Sequence, residues 1–454
     1  METTLNNETN NTNTSLKLIE KYNEVFQGFS KLDRDERLKS LIKLGSLTGE
    51  DVEFLKAGSP IDIELAEKFI ENVIGYFPMS IGVATNFIID KKPYVIPMAV
   101  EETSIIAAAS KTAKWLREKG EIKTEIFGQD ILGQIQLAVV KDFLAFKSKI
   151  LLHKEKLIEL ANMEVGKGLV RRGGGVNDIE VRHLKRPDGK DMAVVHVRAN
   201  PCDAMGANIM NQICEYLKPK IEELTNEKVT MCILSNLVDT KVTRAKIIVR
   251  DVEPELAEKI EEGSLFAELD PYRAATNNKG VLNGIDPILI ATGNDWRAVE
   301  AGIHAYAARD GQYRSITRWK RDGKNLVGLF EAPVILGVVG GVTKLHPIAR
   351  MSLRMMGIET ASELSRVCAA VGLATNLGAI KALTTVGIIE GHMKLHIKNL
   401  TIGAGAKEKE IPIVQKKLEE ILLMTKRISL HNAIEVLREL RDSKGASSPQ
   451  ETQV

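Results

Sequence analysis

The feature that most constrains the fold is the order of elements between residues 131 and 236. GQIQLAVV (133–140) alternates as a strand does, and KDFLAFKSKILLHKEKLIELAN (141–162) has helical composition. DIEVRHL (178–184) and MAVVHVRA (192–199) read as paired strands around a Pro187-Asp188-Gly189-Lys190 turn. AMGANIMNQICEYLKPKIEEL (204–224) reads as a helix and VTMCILSN (229–236) as a strand. The order β-α-β-β-α-β predicts a ferredoxin-like unit. A larger region resumes after it, so it predicts an inserted domain in an α+β protein.

The 454 residues allow two to four domains with a large core. Formal net charge is only +2, which gives no reason to expect nucleic acid or an anionic membrane surface. An RNA-binding reading of the ferredoxin-like unit needs paired aromatics on the central strands, and these strands lack them. Cys202, Cys214, Cys232 and Cys368 have no Cys-x-x-Cys spacing, so neither a zinc knuckle nor a disulfide framework is indicated and no metal is expected. They read as reduced thiols of a cytoplasmic protein. Residues 1–15, an Asn/Thr tract, read as disordered rather than as a signal peptide, and residues 442–454 read the same way. No unbroken apolar run approaches the ~18–20 residues that span a bilayer, so no membrane segment is expected.

Outside the insert, residues 16–75 read as short helices, with Thr48 or Ser46 as one helix cap. Helices are expected near 102–118, 295–309 and 361–388, Gly-rich strands near 327–341, and a helical segment beyond Gly391. Glu101 and Glu102 precede the first of these helices, where a helix dipole favours carboxylates.

Two stretches carry candidate chemistry. Between Asp270 and Gly302, a lone Lys279 lies among Arg273, Thr276, Asn277, Asn278 and Asn283, followed by Asp295 in a Thr-Gly-Asn-Asp-Trp turn. A lysine in a polar, Gly-punctuated loop reads as a cation aimed at an oxygen that gains negative charge. Asn294 or Asp295 would also cap the helix that follows. Asp203-Ala204-Met205-Gly206-Ala207-Asn208 leads from a strand into a helix. That context suits a pyrophosphate on helix N–H groups, or simply a tight turn. Neither the Rossmann fingerprint nor a Walker lysine is present, since Gly340-Gly341 is followed by Val-Thr-Lys.

These stretches, with IENVIGYF (70–77), VIPMAVEETSIIAAAS (95–110), GGGVNDIEV (173–181), ILSNL (233–237), GVVGGVTKLHP (337–347) and GHMKLHIKN (391–399), resemble the class II hydroxymethylglutaryl-CoA reductases. The resemblance runs from about Asp62 to about Gly405. It implies a four-electron reduction of (S)-HMG-CoA to mevalonate and CoA with two NAD(P)H, or the same chemistry run oxidatively in mevalonate catabolism. It implies a catalytic set of Glu102, Lys279, Asp295 and His392. Lys279 would hold the oxyanion, Asp295 would pair with it, Glu102 would donate protons, and His392 would protonate the departing thiolate. Ser104, Arg273, Thr276 and Asn283 would bind substrate. Asp203, Met205, Gly206, Ala207 and Asn208 would bind cofactor, with Gly173, Gly174 and Gly175 beside them.

The implied organisation is a large substrate domain (16–128 and 237–387), a small NAD(P)-binding insert (129–236) and a C-terminal helical flap (388–441) that carries His392. The implied assembly is a homodimer, further arranged as three dimers. An intact Glu-Lys-Asp-His set argues against a non-catalytic CoA-binding relative. Three departures from the family pattern stand out. NADH-preferring members carry an Asp before the triple glycine, whereas this chain offers Lys167, Arg171 and Arg172, which favours NADPH. Thr375 stands where the family usually has Gln, and Gln27 where some relatives have Arg.

Overall fold

The computed structural model describes residues 17–385, 397–425 and 427–445. Ten strands are described: β1 (Ile81–Ile89), β2 (Lys92–Ala99), β3 (Gly120–Phe127), β4 (Ile131–Val140), β5 (Gly175–Lys185), β6 (Asp191–Asn200), β7 (Met231–Ser235), β8 (Val242–Val249), β9 (Thr317–Asp322) and β10 (Asn325–Ala332). They form a β1-β2 hairpin and two four-stranded sheets, β3-β8-β10-β9 and β5-β6-β4-β7. Every neighbouring pair is antiparallel.

The sheet β5-β6-β4-β7 has the ferredoxin-like order, in which β-α-β crossovers place the third strand between the first two. Its core face buries Ile135, Ile179, Val195 and Val197 against Met210, Ile213 and Leu217 of the helix Ala207–Thr225. The crossover expected as one helix over 141–162 is two, Phe143–Leu152 and Lys154–Glu164, broken at His153.

The larger core collects the other sheet and the helices Ile105–Lys119, Pro271–Ala291, Trp296–Ala307 and Ala361–Thr384. The first of these begins three residues later than the sequence suggests. The expected strands near 327–341 end at Ala332, and the Gly-rich stretch becomes a turn into the helix Gly341–Leu345. Three closely spaced glycines disfavour a strand, and the turn uses their freedom. Helix Ala361–Thr384 is 24 residues long and holds an 18-residue stretch with a mean hydropathy of 1.5, long and apolar enough to cross a membrane, yet 67% of that stretch is buried inside the protein. Unbroken apolar runs did not reveal it, because its small and polar residues are interspersed. Its buried face is the centre of the larger core, from Leu364 to Leu377.

Short helices do occupy the N-terminal region. Thr48, not Ser46, caps one of them, exchanging hydrogen bonds with Asp51 in a capping box. A second compact unit contains Glu102–Ser104 and the described residues from Lys381 onward. Its helices Ile411–Thr425 and Leu430–Gly445 pack through Val414, Leu418, Ala433 and Leu437, and Arg441 pairs with Glu410 at 2.9 Å.

Candidate active site

Lys279 is not in a loop. It lies on the helix Pro271–Ala291, whose first turn is set by Pro271 and by Asp270 accepting from Arg273 N at 2.9 Å. Asn277, Asn278 and Gly280 are poor helix formers, which is why this stretch reads as a loop. Tertiary hydrogen bonds reverse that preference. Asn278 Nδ2 donates to Arg314 O (2.9 Å) and its Oδ1 accepts from Ile316 N (3.1 Å). Asn277 Nδ2 donates to Ser315 Oγ at 2.7 Å. Lys279 follows this buried pair on the exposed side of the helix, with Thr276 also exposed and Asn283 half-buried. Arg273 is half-buried, and among the described residues its guanidinium makes no ion pair. Burial lowers its pKa.

The helix ends at Ala291 and the chain turns through Thr292-Gly293-Asn294 into the next helix. Asp295 is the cap of that helix: its carboxylate accepts from Ala298 N (3.1 Å) and pairs with Arg297 at 3.5 Å. Asn294 Oδ1 instead accepts from Gly337 N at 2.8 Å. Gly337 has no room for a side chain, because a Cβ would stand 2.6 Å from Met205 N. Val338 N donates to Asp203 O at 2.9 Å. The Thr-Gly-Asn-Asp turn, the Gly337 turn and the 203–206 turn therefore meet within the larger compact unit, which holds the described residues up to 101 and 105–380.

Asp203 itself is occupied. Its Oδ1 accepts from Ala361 N at 2.9 Å, holding the first turn of the helix Ala361–Thr384. This bond ties the ferredoxin-like sheet to the central helix. Gly206 opens the helix Ala207–Thr225 at φ 94, with no side-chain cap and no acidic residue in the first turn. A Cβ there would lie 2.4 Å from Ile131 Cδ1, so glycine is required twice over. Ala207 is half-buried and Asn208 exposed. Gly174 packs on Asn200 O and Cys202 Sγ, and Cys202 Sγ lies 3.7 Å from Arg172 O. The triple glycine thus lies beside the 203–206 turn, and the exposed Lys167, Arg171 and Arg172 belong to the adjoining segment.

The hydroxymethylglutaryl-coenzyme A reductase family model matches residues 33–397. The chain is 46% identical over 419 residues to the 3-hydroxy-3-methylglutaryl-coenzyme A reductase of Archaeoglobus fulgidus, covering 91% of this chain and 94% of that one. It is 30% identical over 444 residues to a probable reductase of Borreliella burgdorferi, covering 94% and 97%. A solved structure of the Streptococcus pneumoniae reductase superposes with a TM-score of 0.78 at 37% identity, covering 92% of this chain and all of that one. The chain belongs to the class II hydroxymethylglutaryl-coenzyme A reductase family. Its reaction is the reduction of HMG-CoA to mevalonate and CoA. Another structure of the pneumococcal class II enzyme, described as bound to NADPH, matches with a TM-score of 0.77 at 37% identity, covering 79% of this chain and all of that one.

Glu102, exposed, and Ser104, at φ 74 with its hydroxyl oxygen buried and unbonded among the described residues, belong to the second unit. His392 lies outside the described residues. Of the other two departures, Thr375 is a packing residue. Its Oγ1 would be 2.6 Å from a Cβ on Gly284, so it lies at a close crossing of two helices. Gln27 is exposed.

Two groups gave no sequence signal. Lys241 is only 6% exposed, close to Asp203, Asp130 and Cys202; burial lowers its pKa while those neighbours oppose the shift. Asp286, two turns beyond Lys279, lies beside Glu300 on the next helix, and its Oδ1 is buried without a hydrogen-bond partner among the described residues. Burial first, and the Glu300 charge second, push its pKa up to about 8. Neither residue stands in a motif, and their burial comes from chain segments distant in sequence.

Proposed function

We propose that Lys279 is the cation that holds the substrate oxygen in both reductive steps. What carries this reading is the meeting of the Thr-Gly-Asn-Asp turn, which caps the helix after Lys279, with the 203–206 turn at Gly337. NADPH, when bound, supplies the hydrides. The uncapped N-terminus of the helix Ala207–Thr225 suits its pyrophosphate, with Met205, Gly206, Ala207 and Asn208 around it, while Asp203 supports from behind. Lys167 and Arg171 suit a 2′-phosphate, which a carboxylate would repel.

Reduction of a thioester and then of an aldehyde places negative charge on oxygen twice. A preorganised ammonium lowers each barrier by a few kcal/mol. Asp295 orients Lys279 and Glu102 donates the proton to the alkoxide. His392 protonates the thiolate, since an imidazolium (~6.5) is a stronger acid than a thiol (~8.5). Arg273, with no ion pair among the described residues, takes a substrate carboxylate with Ser104, Thr276 and Asn283. The buried, unbonded Ser104 hydroxyl supports that role, because such groups normally find a partner.

Residues 16–128 and 237–387 form the substrate domain, 129–236 the cofactor domain and 388–441 the flap. The protein is cytoplasmic and works as a homodimer, arranged as three dimers. The exposed apolar residues Leu265, Phe266, Leu269 and Tyr272 support self-association. The test is nicotinamide oxidation followed spectrophotometrically with HMG-CoA, alongside light scattering for the assembly. Two NADPH consumed per HMG-CoA are expected, with NADPH preferred over NADH. Oxidation independent of the acyl-CoA would refute the reading.

A further inference from the structure

The helix that carries Lys279 is pinned by a chain of buried amides. Trp319 Nε1 donates to Asn376 Oδ1 at 2.8 Å. Asn376 Nδ2 donates to Asn277 Oδ1 at 2.8 Å. Asn277 Nδ2 donates onward to Ser315 Oγ at 2.7 Å and to Thr317 Oγ1 at 3.1 Å. Trp319, Asn376 and Asn277 are each 1–2% exposed, and Asn278, beside Asn277, is fully buried. The chain joins the helix Pro271–Ala291 to the helix Ala361–Thr384 and to strand β9.

An apolar set of similar volume would fill this space at little loss of stability, because replacing both partners of a buried hydrogen bond is close to neutral. Directional bonds do what apolar packing does not: they select one rotation of the helix. Successive helical residues turn by about 100°, so holding Asn277 and Asn278 to different partners fixes the azimuth of residue 279. A rotation of the helix by even a fraction of a turn would swing the ammonium by more than an ångström.

We infer that Asn277, Asn376 and Trp319 are positioning residues for Lys279, acting through the rotation of its helix rather than by touching substrate. This rests on the reading that Lys279 holds the oxyanion. The test uses the full chain, with Trp319→Phe and Asn376→Leu made in the wild-type and in a Lys279→Ala background. Each is assayed well below its Tm for kcat and for KM of HMG-CoA and NADPH. Misplacement by about an ångström lowers turnover by up to ~10²-fold. Trp319→Phe, which breaks only the far link, should lower kcat by about 3–10-fold, and Asn376→Leu by about 10–100-fold, with both KM values within about twofold.

In the Lys279→Ala background neither substitution should lower kcat further, because the group being positioned is gone. Losses that multiply in that background, or an unchanged kcat in Trp319→Phe and in a folded Asn376→Leu, would overturn the inference. If Asn376→Leu does not fold, Trp319→Phe decides alone. Wild-type turnover in Lys279→Ala would sink the oxyanion reading, and this inference with it. An inactive Lys279→Ala with multiplying losses would sink only the positioning role.

Discussion

The two sides of the candidate site are made of different materials. On the Lys279 side, position is set by side chains: Asn277, Asn278 and Asn376 bond one another and their neighbours inside the core. On the 203–206 side it is set by backbone: Cys202 and Gly206 adopt positive φ, and Gly174 and Gly337 admit neighbouring main chain where no Cβ fits. The difference shows how each side fails. The amide side tolerates changes made in matched pairs, since what is costly is an orphaned partner. On the backbone side, Gly174, Gly206 and Gly337 tolerate no side chain, because the strain and the clash do not depend on its chemistry.

The comparison can be broken from either side. The largest effect expected is from Gly206→Val, which adds strain at φ 94 to a clash with Ile131 and Pro201. It should lower stability by about 2–4 kcal/mol in urea denaturation and raise KM for NADPH. A loss below ~0.5 kcal/mol would show that this turn is not held by its backbone. Asn278→Leu comes next. It orphans Arg314 O and Ile316 N inside the core and should lower stability by about 2 kcal/mol. An unchanged urea midpoint would mean water already serves those groups.

Lys167→Ala combined with Arg171→Ala leaves both turns intact and should reduce the NADPH-over-NADH preference in kcat/KM by about tenfold, roughly 1.4 kcal/mol. An unchanged ratio would mean that these cations only face solvent. The smallest effect concerns Asp286. The folded protein keeps its proton up to about 8, while an unfolded carboxyl releases it near ~3.9. The folded state therefore binds more protons across that window. The stability this group contributes is complete below the unfolded value and is lost as pH rises through the folded one. Asp286→Asn cannot ionise, so its Tm relative to wild type should be higher at alkaline than at acid pH, by ~2 °C or more. An equal offset at both ends would contradict the shift.

The same contrast explains what was legible beforehand. Backbone devices leave glycines in the sequence, so the 173–175 and 203–206 turns could be read directly; strand and helix patterning carried the ferredoxin-like order, and the family resemblance implied that the two turns adjoin. The amide side misled. Asn277 and Asn278 read as loop formers, because their partners Arg314, Ile316 and Asn376 are far away along the chain. The bond from Ala361 N to Asp203 spans residues far apart along the chain, so only the fold shows it. Thr375, a departure from the family pattern, lies at the crossing with Gly284, a contact visible only in the fold. Lys241 and Asp286 are notable only through burial, which no local pattern records.

The most direct measurement is the kcat of Lys279→Ala with HMG-CoA and NADPH, taken beside its Tm. Loss of one preorganised oxyanion donor predicts a fall of about 10²–10³-fold with the Tm within a few degrees of wild type. Turnover within tenfold of wild type, in a folded variant, would contradict the account.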